Sequence, residues 1–177
     1  IAAWGFGPAE ADTDGIKSAR LKPRRPSFDS LELDVANGLA RKHDASTFDL
    51  SGIAKGYGVD RLAETLQAHG IAEGLVAIDG EVRALGCLPD GTAWPVAVEA
   101  PDRQARAVHS MLALQDAAVA TSGDYRHWVQ VGERLLSHTI DPRTGAPLLD
   151  APASVTVIAQ SCMLADAYAT ALMVMGP

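Results

Sequence analysis

Over residues 160–177 the chain carries a single charged side chain, Asp166, set among Ala, Leu, Met and Val. A helix of that composition has to be covered by protein, and its carboxylate then needs a partner, because an unpaired buried charge is costly. Leu164, Tyr168, Ala171 and Met175 form one stripe of a helix over 163–175. Asp166 and Thr170, four apart, share the opposite face with Met173, so the spacing predicts a helix covered on both sides. A carboxylate and a hydroxyl one turn apart are hard oxygen donors that suit Mg²⁺ completed by phosphate oxygens and water. An Asp in the first turn, satisfied by the helix dipole and free N–H groups, explains the same residue, and the helix alone does not choose.

A second constraint is the run Ser51-Gly52-Ile53-Ala54-Lys55-Gly56-Tyr57-Gly58, which follows a strand end at Phe48-Asp49-Leu50. Val59, Leu62, Ala63 and Leu66 then recur at i, i+3, i+4 and i+7, which predicts a helix stopped at Gly70. Glycines at a helix start let a backbone approach phosphate, and the first turn offers free N–H groups and the positive end of the dipole. Lys55 adds a charge. The spacing is neither of the common phosphate-binding fingerprints, so a plain strand-to-helix turn remains open beside an anion site.

The remaining chain reads as short strands: 75–78 and 82–85 around an Asp79-Gly80 turn, then 94–98, 111–114, 117–120, 128–131, 135–140 and 154–159, with a join at Gly132. Asp141-Pro142-Arg143-Thr144-Gly145 is a turn by its own chemistry. Many short strands with two long helices packed on them give an α+β class, with antiparallel or mixed sheets. The 177 residues suffice for one core, read as a single domain over 1–177, with a polar, proline-flanked loop at 8–26. The chain begins without Met and stops in an apolar helical run, so a piece cut at both ends is expected.

Net charge is −7, which argues against nucleic acid; the basic run Lys22-Pro23-Arg24-Arg25 lacks aromatics and reads as a solvated loop. Cys87 and Cys162 have no metal-ligand spacing, and spacing does not decide whether they pair. Thr121-Ser122-Gly123-Asp124-Tyr125 places small hydroxyls at a strand end, fit to bind phosphate or ribose or to cap a turn. His138, on the strand ahead of Ile140-Asp141-Pro142-Arg143, suits a general base or a hydrogen-bonded structural His. His43, His69, His109 and His127 lack companions and read as surface residues.

Taken in order, these segments resemble the FAD:protein FMN transferase family (ApbE-type). The matches are Trp4-Gly5-Phe6-Gly7, residues 49–57 with Val59-Asp60, Ala120 to Tyr125, His138 to Gly145, Ser154 to Ala159, and Ala165-Asp166-Ala167-Tyr168-Ala169-Thr170-Ala171. Each is moderately specific; six in order over nearly the whole chain are highly specific.

The resemblance implies an ApbE-like fold related to the T-folds, and an Mg²⁺-dependent transfer of FMN from FAD to a threonine hydroxyl of an acceptor protein, with release of AMP. It implies Asp166, Thr170 and the Ala54 carbonyl as metal ligands. It places Ser51, Ala54, Lys55, Tyr57, Thr121 and Ile140 against the flavin dinucleotide, and His138 as the base that activates the acceptor. Family acceptors are subunits of membrane electron-transport complexes, which implies a bacterial periplasm or cell-envelope setting, with lipid anchoring as one form. FAD pyrophosphatase and a non-catalytic flavin carrier are the competing functions. The chain departs from the family at Ile78-Asp79-Gly80-Glu81, where Asp79 adds charge to a usually Gly-Gly element.

Overall fold

Asp12 accepts a hydrogen bond from Asp14 N at 3.1 Å and starts helix α1 (Thr13–Leu21), inside the stretch predicted as a loop. The cap, with Asp14 in the first turn and Arg20 in the last, favours helix more strongly than the flanking prolines disfavour it. The structure is a computed structural model and describes residues 2–6, 10–22, 24–45, 47–126, 128–131, 134–149 and 151–177. Gly7, Pro8, Pro23, His127 and the Gly132 join lie outside the described residues.

Where one domain over 1–177 is expected, the contacts gather into two compact units, Ile1–Asp49 with Asp141–Ala146, and Leu50–Ile140 with Pro147–Pro177. The first holds a 3-10 turn (Ala2–Trp4), α1, a short helix α2 (Ser27–Ser30) and a hairpin of β1 (Leu31–Asp34) and β2 (Leu39–Lys42). The hairpin is absent from the sequence expectation because its strands are charged and exposed. Asp34 closes its loop by accepting from Asn37 N and Nδ2 at 3.1 and 2.7 Å. Asp141 likewise holds its own turn, accepting from Arg143 N at 2.8 Å while Gly145 N reaches Asp141 O at 2.7 Å.

The second unit carries helix α3 (Ala54–Ala68), then β3 (Gly74–Ile78), β4 (Glu81–Leu85), β5 (Trp94–Glu99), β6 (Val108–Leu114), β7 (Ala118–Gly123), β8 (Trp128–Val131) and β9 (Arg134–Ser137). Two-residue strands β10 (Ile140–Asp141) and β11 (Ala146–Pro147) flank the Asp141 turn, and β12 (Ser154–Ala159) leads to helix α4 (Cys162–Met175). β12, β7, β4 and β3 form one antiparallel sheet in that order. Asp79 and Gly80 join β3 to β4 with φ of 48° and 102°, the two positive values that a type I′ hairpin turn needs. Gly70 ends α3 as expected: at φ 80° its N–H reaches Gln67 O, and Ile71 N reaches Leu66 O, both at 3.0 Å.

The sheet alternates, and each face has its own cover. Val76, Leu85 and Ala118 meet Val59 and Ala63 of α3 and Cys162 of α4. Ala84 and Val119 turn the other way and pack with Leu114, Trp94 and Val96 of the β5–β6 hairpin. Helix pair, sheet and hairpin are thus three layers, an α+β arrangement as expected.

Three local expectations are corrected. Residues 47–50 form no strand end, and the strand expected over 135–140 stops at Ser137, so that His138 lies at a bend. Helix α4 is covered on one side only: Cys162, Ala165, Asp166, Ala169 and Met173 are buried, whereas Leu164, Tyr168, Leu172 and Met175 of the predicted stripe's side are exposed. Small Ala165 and Ala169 bring that face close to the sheet, which makes it the inner one despite its Asp.

Candidate functional site

Ile53 opens α3 without a side-chain cap, and α3 carries no acidic residue in its first turn. Gly56 N–H, one of the donors that the start of a helix leaves free, instead meets Asp166 Oδ2 of α4 at 2.9 Å. Asp166 is the fifth residue of α4 and 3% exposed. It is therefore satisfied by another helix's terminus, not by its own. The reverse also holds: Asp60 of α3 accepts from Cys162 N and Met163 N of α4, both at 2.9 Å, and from Arg83 Nη1 at 2.6 Å. Each helix caps the other. Asp60→Ala is expected to cost about 2 kcal/mol, since it frees two helix N–H groups and the half-buried Arg83. Urea melts check it, and an unchanged midpoint would mean that Asp60 is no anchor.

Glycine is what lets the two helices approach. A Cβ on Gly56 would lie 2.7 Å from the carbonyl carbon of Cys162, overlapping its oxygen too, and 2.8 Å from Asp166 Cβ. A Cβ on Gly52 would lie 3.1 Å from Thr170 Cγ2 and 3.3 Å from Thr170 Oγ1. The glycine-rich turn thus lies directly against Asp166 and Thr170, the pair that residue spacing singled out. Ser51, Ala54 and Tyr57 face outward from the same turn, with Tyr57 under Arg61 at 5.2 Å.

Charge around the turn is unbalanced. Lys55 Nζ lies 2.8 Å from buried Glu81 Oε1 and 3.8 Å from Asp79 Oδ2, and feels Asp166 as well. Burial lowers the pKa of Lys55, but these carboxylates more than offset it and leave it above the ordinary lysine value. Burial raises Glu81 above the ordinary carboxylate range, and Lys55 offsets that only in part. One ammonium facing three carboxylates leaves a net negative patch beside α3's first turn. Such a patch repels a diphosphate unless a cation sits with it.

The residues present fit a hard divalent cation. Asp166 spends Oδ2 on Gly56 N–H, Thr170 adds a hydroxyl one turn on, and the local charge is in deficit. Among the described residues no three His, Cys, Asp or Glu side chains form a metal cluster, so any such ion would complete its shell from ligand and water.

Not every expected residue joins this group. Thr121 pairs with Thr156 at 2.8 Å between their hydroxyls, on the face of β7 opposite its neighbour. Ser122 is the one whose Oγ meets Thr170 Oγ1, at 3.0 Å. Strand alternation could have chosen between them only with the register against β12 known. Glu81, read from sequence as part of an unusual turn, is the other addition. His138 is half-buried at the bend after β9, and Ile140 half-buried in β10. Cys87 and Cys162 are free thiols, and burial, with Asp60, Glu81 and Asp166 nearby, pushes Cys162 up to about 12.

Known proteins share this fold. The model of the ApbE family matches residues 1–177. The FAD:protein FMN transferase of Vibrio cholerae is 43% identical over 98% of this chain and 52% of its own length. That of Escherichia coli K12 is 32% identical over 98% and 51%. The chain spans about half the length of the curated relatives it matches. Among solved structures, the ApbE protein of Thermotoga maritima superposes with a TM-score of 0.82 at 30% identity, covering 98% of this chain and 56% of that one. The flavin transferase ApbE of Vibrio cholerae gives 0.76 at 39%, covering 98% and 55%.

Proposed function

The chain belongs to the ApbE family, and from that premise we propose that it serves Mg²⁺-dependent transfer of FMN from FAD to a threonine hydroxyl of an acceptor protein, with release of AMP. The observation that carries the reading is Asp166: a buried carboxylate in an otherwise uncharged helix, bonded at 2.9 Å to the glycine-rich turn, with Thr170 beside that turn. Relatives that bear the name FAD:protein FMN transferase support it.

Asp166, Thr170 Oγ1 and the Ala54 carbonyl would hold the Mg²⁺, which when bound offsets the negative charge of the diphosphate. Lys55 offers its ammonium to a phosphate oxygen, and Ser51 and Tyr57 face the dinucleotide from the outer side of the turn. In the transfer the threonine oxygen forms a bond to the FMN phosphorus, and the bond from that phosphorus to the AMP oxygen breaks. The threonine proton passes to His138, which a weak nucleophile requires. AMP leaves with the bridging oxygen, and charge spread over the phosphate oxygens is met by fixed groups with little reorganisation. Ile140, beyond the His138 bend, contributes apolar cover for the flavin. The acceptor is a membrane electron-transport subunit, which sets the reaction at the bacterial cell envelope.

The deciding assay is in-gel flavin fluorescence on a Thr-containing acceptor incubated with the intact protein and FAD. Label is expected with Mg²⁺, and none after EDTA. An unlabelled acceptor with steady AMP release would identify a pyrophosphatase, and FAD binding with neither product a carrier.

A further inference from the structure

Only one of the two carboxylate oxygens of Glu81 has a partner. Glu81 begins β4, is 2% exposed, and accepts from Lys55 Nζ on Oε1 at 2.8 Å. Oε2 is buried with no donor, alone in this respect among the side-chain atoms of the described residues. A carboxylate oxygen removed from water and left unbonded is destabilising, so such an atom in a folded chain asks for a partner. Lys55 directly precedes Gly56, whose N–H holds Asp166, and the field of Asp166 reaches both Lys55 and Glu81. The carboxyl that carries the unfilled acceptor is therefore tied, through Lys55, to the turn that forms the candidate site.

We propose that Glu81 Oε2 is a ligand contact, accepting a hydrogen bond from a sugar hydroxyl of the bound dinucleotide. The inference rests on the reading of this turn as a flavin dinucleotide site. Its chemistry follows from what stands next to the vacant oxygen. Lys55 has three N–H donors. One reaches Glu81 and another faces Asp79 at 3.8 Å, which leaves one for a phosphate oxygen. Whatever meets Oε2 is thus a near neighbour of that phosphate, and it must donate. A phosphate oxygen cannot, because two anions would face each other. On a dinucleotide the donors nearest to phosphate along the chain are the hydroxyls of ribityl and ribose. Lys55 and Glu81 together would read a phosphate and the hydroxyl beside it.

The test uses the intact protein with Mg²⁺ and titrates flavin fluorescence with FAD and with FAD analogues lacking single ribityl or ribose hydroxyls. E81Q, which replaces an acceptor by an amide, is expected to weaken FAD binding about tenfold. One deoxy analogue should lose a similar factor on the wild type and nothing further on E81Q, which a merely structural role for Glu81 would not produce. Should E81Q melt below the assay temperature, E81D carries the same comparison. The proposal is overturned if the wild type binds every deoxy analogue as tightly as FAD, or if the Glu81 variants lose equally on all ligands. A wild type that binds no FAD overturns the underlying reading, and this contact with it.

Discussion

Asp166→Asn is expected to fold and to lose flavin transfer by at least about a hundredfold, the scale of a metal's contribution to charge stabilisation in phosphoryl chemistry. The variant keeps an oxygen able to accept Gly56 N–H, so the seam between α3 and α4 stays closed. What it removes is the charge. Asp166→Ala removes both, and is expected to abolish transfer while also lowering the melting midpoint, because the start of α3 then has no partner at Gly56. The pair of variants separates a carboxylate that holds a cation from one that only caps a helix. Labelling rates against Mg²⁺ concentration, alongside thermal melts, make the measurement. If Asp166→Asn labels the acceptor at close to the wild-type rate, Asp166 is a cap and nothing more.

Gly56→Ala is expected to be the most damaging one-methyl change in the second unit, at about 3 kcal/mol or more. The added carbon meets the Cys162 carbonyl and lies 2.8 Å from Asp166 Cβ. Neither can yield as the tip of a flexible side chain would; one is backbone, the other a first side-chain atom. Helix α3 has to lift from α4, which stretches the Gly56–Asp166 bond and the two bonds that Asp60 makes to Cys162 and Met163. Loss of stability and loss of transfer should therefore appear together. Gly70→Ala is the matching control: nothing stands within 4 Å of its Cβ, so its cost comes from φ +80° alone and should leave transfer by the remaining folded protein intact. Equal behaviour of the two variants would contradict the close-approach explanation.

Residue spacing was a good guide wherever the local chain decides. Asp79-Gly80 gives its hairpin, Gly70 its helix stop, and Asp166 with Thr170 one face of one helix. The glycine-rich turn and the acidic helix were each ambiguous alone, because the bond joining them spans 110 residues and no window of sequence contains it. The same limit explains Thr121. Its hydroxyl and that of Ser122 are equivalent in composition, and only pairing with Thr156 sends one away from Thr170. Helix α4 departs from the expected cover on both sides for a physical reason: the small Ala165 and Ala169 let their face pack closely, and the Leu164–Tyr168 side stays exposed. Helix α1 lies inside a polar, proline-flanked stretch, and the Asp12 cap that starts it shows in the structure.

Reciprocal capping also has a consequence in time. Asp60 waits on residues 102 and 103 positions downstream, and Gly56 on one 110 positions away. As the chain leaves the ribosome, α3 emerges before α4, with its first turn exposed and its Asp60 still wet. Closing so long a loop costs entropy before any contact returns it, so the two termini are sealed in one late, cooperative step. A nascent chain stopped before Cys162 has neither cap, and brings no carboxylate or hydroxyl of α4 to the glycine-rich turn.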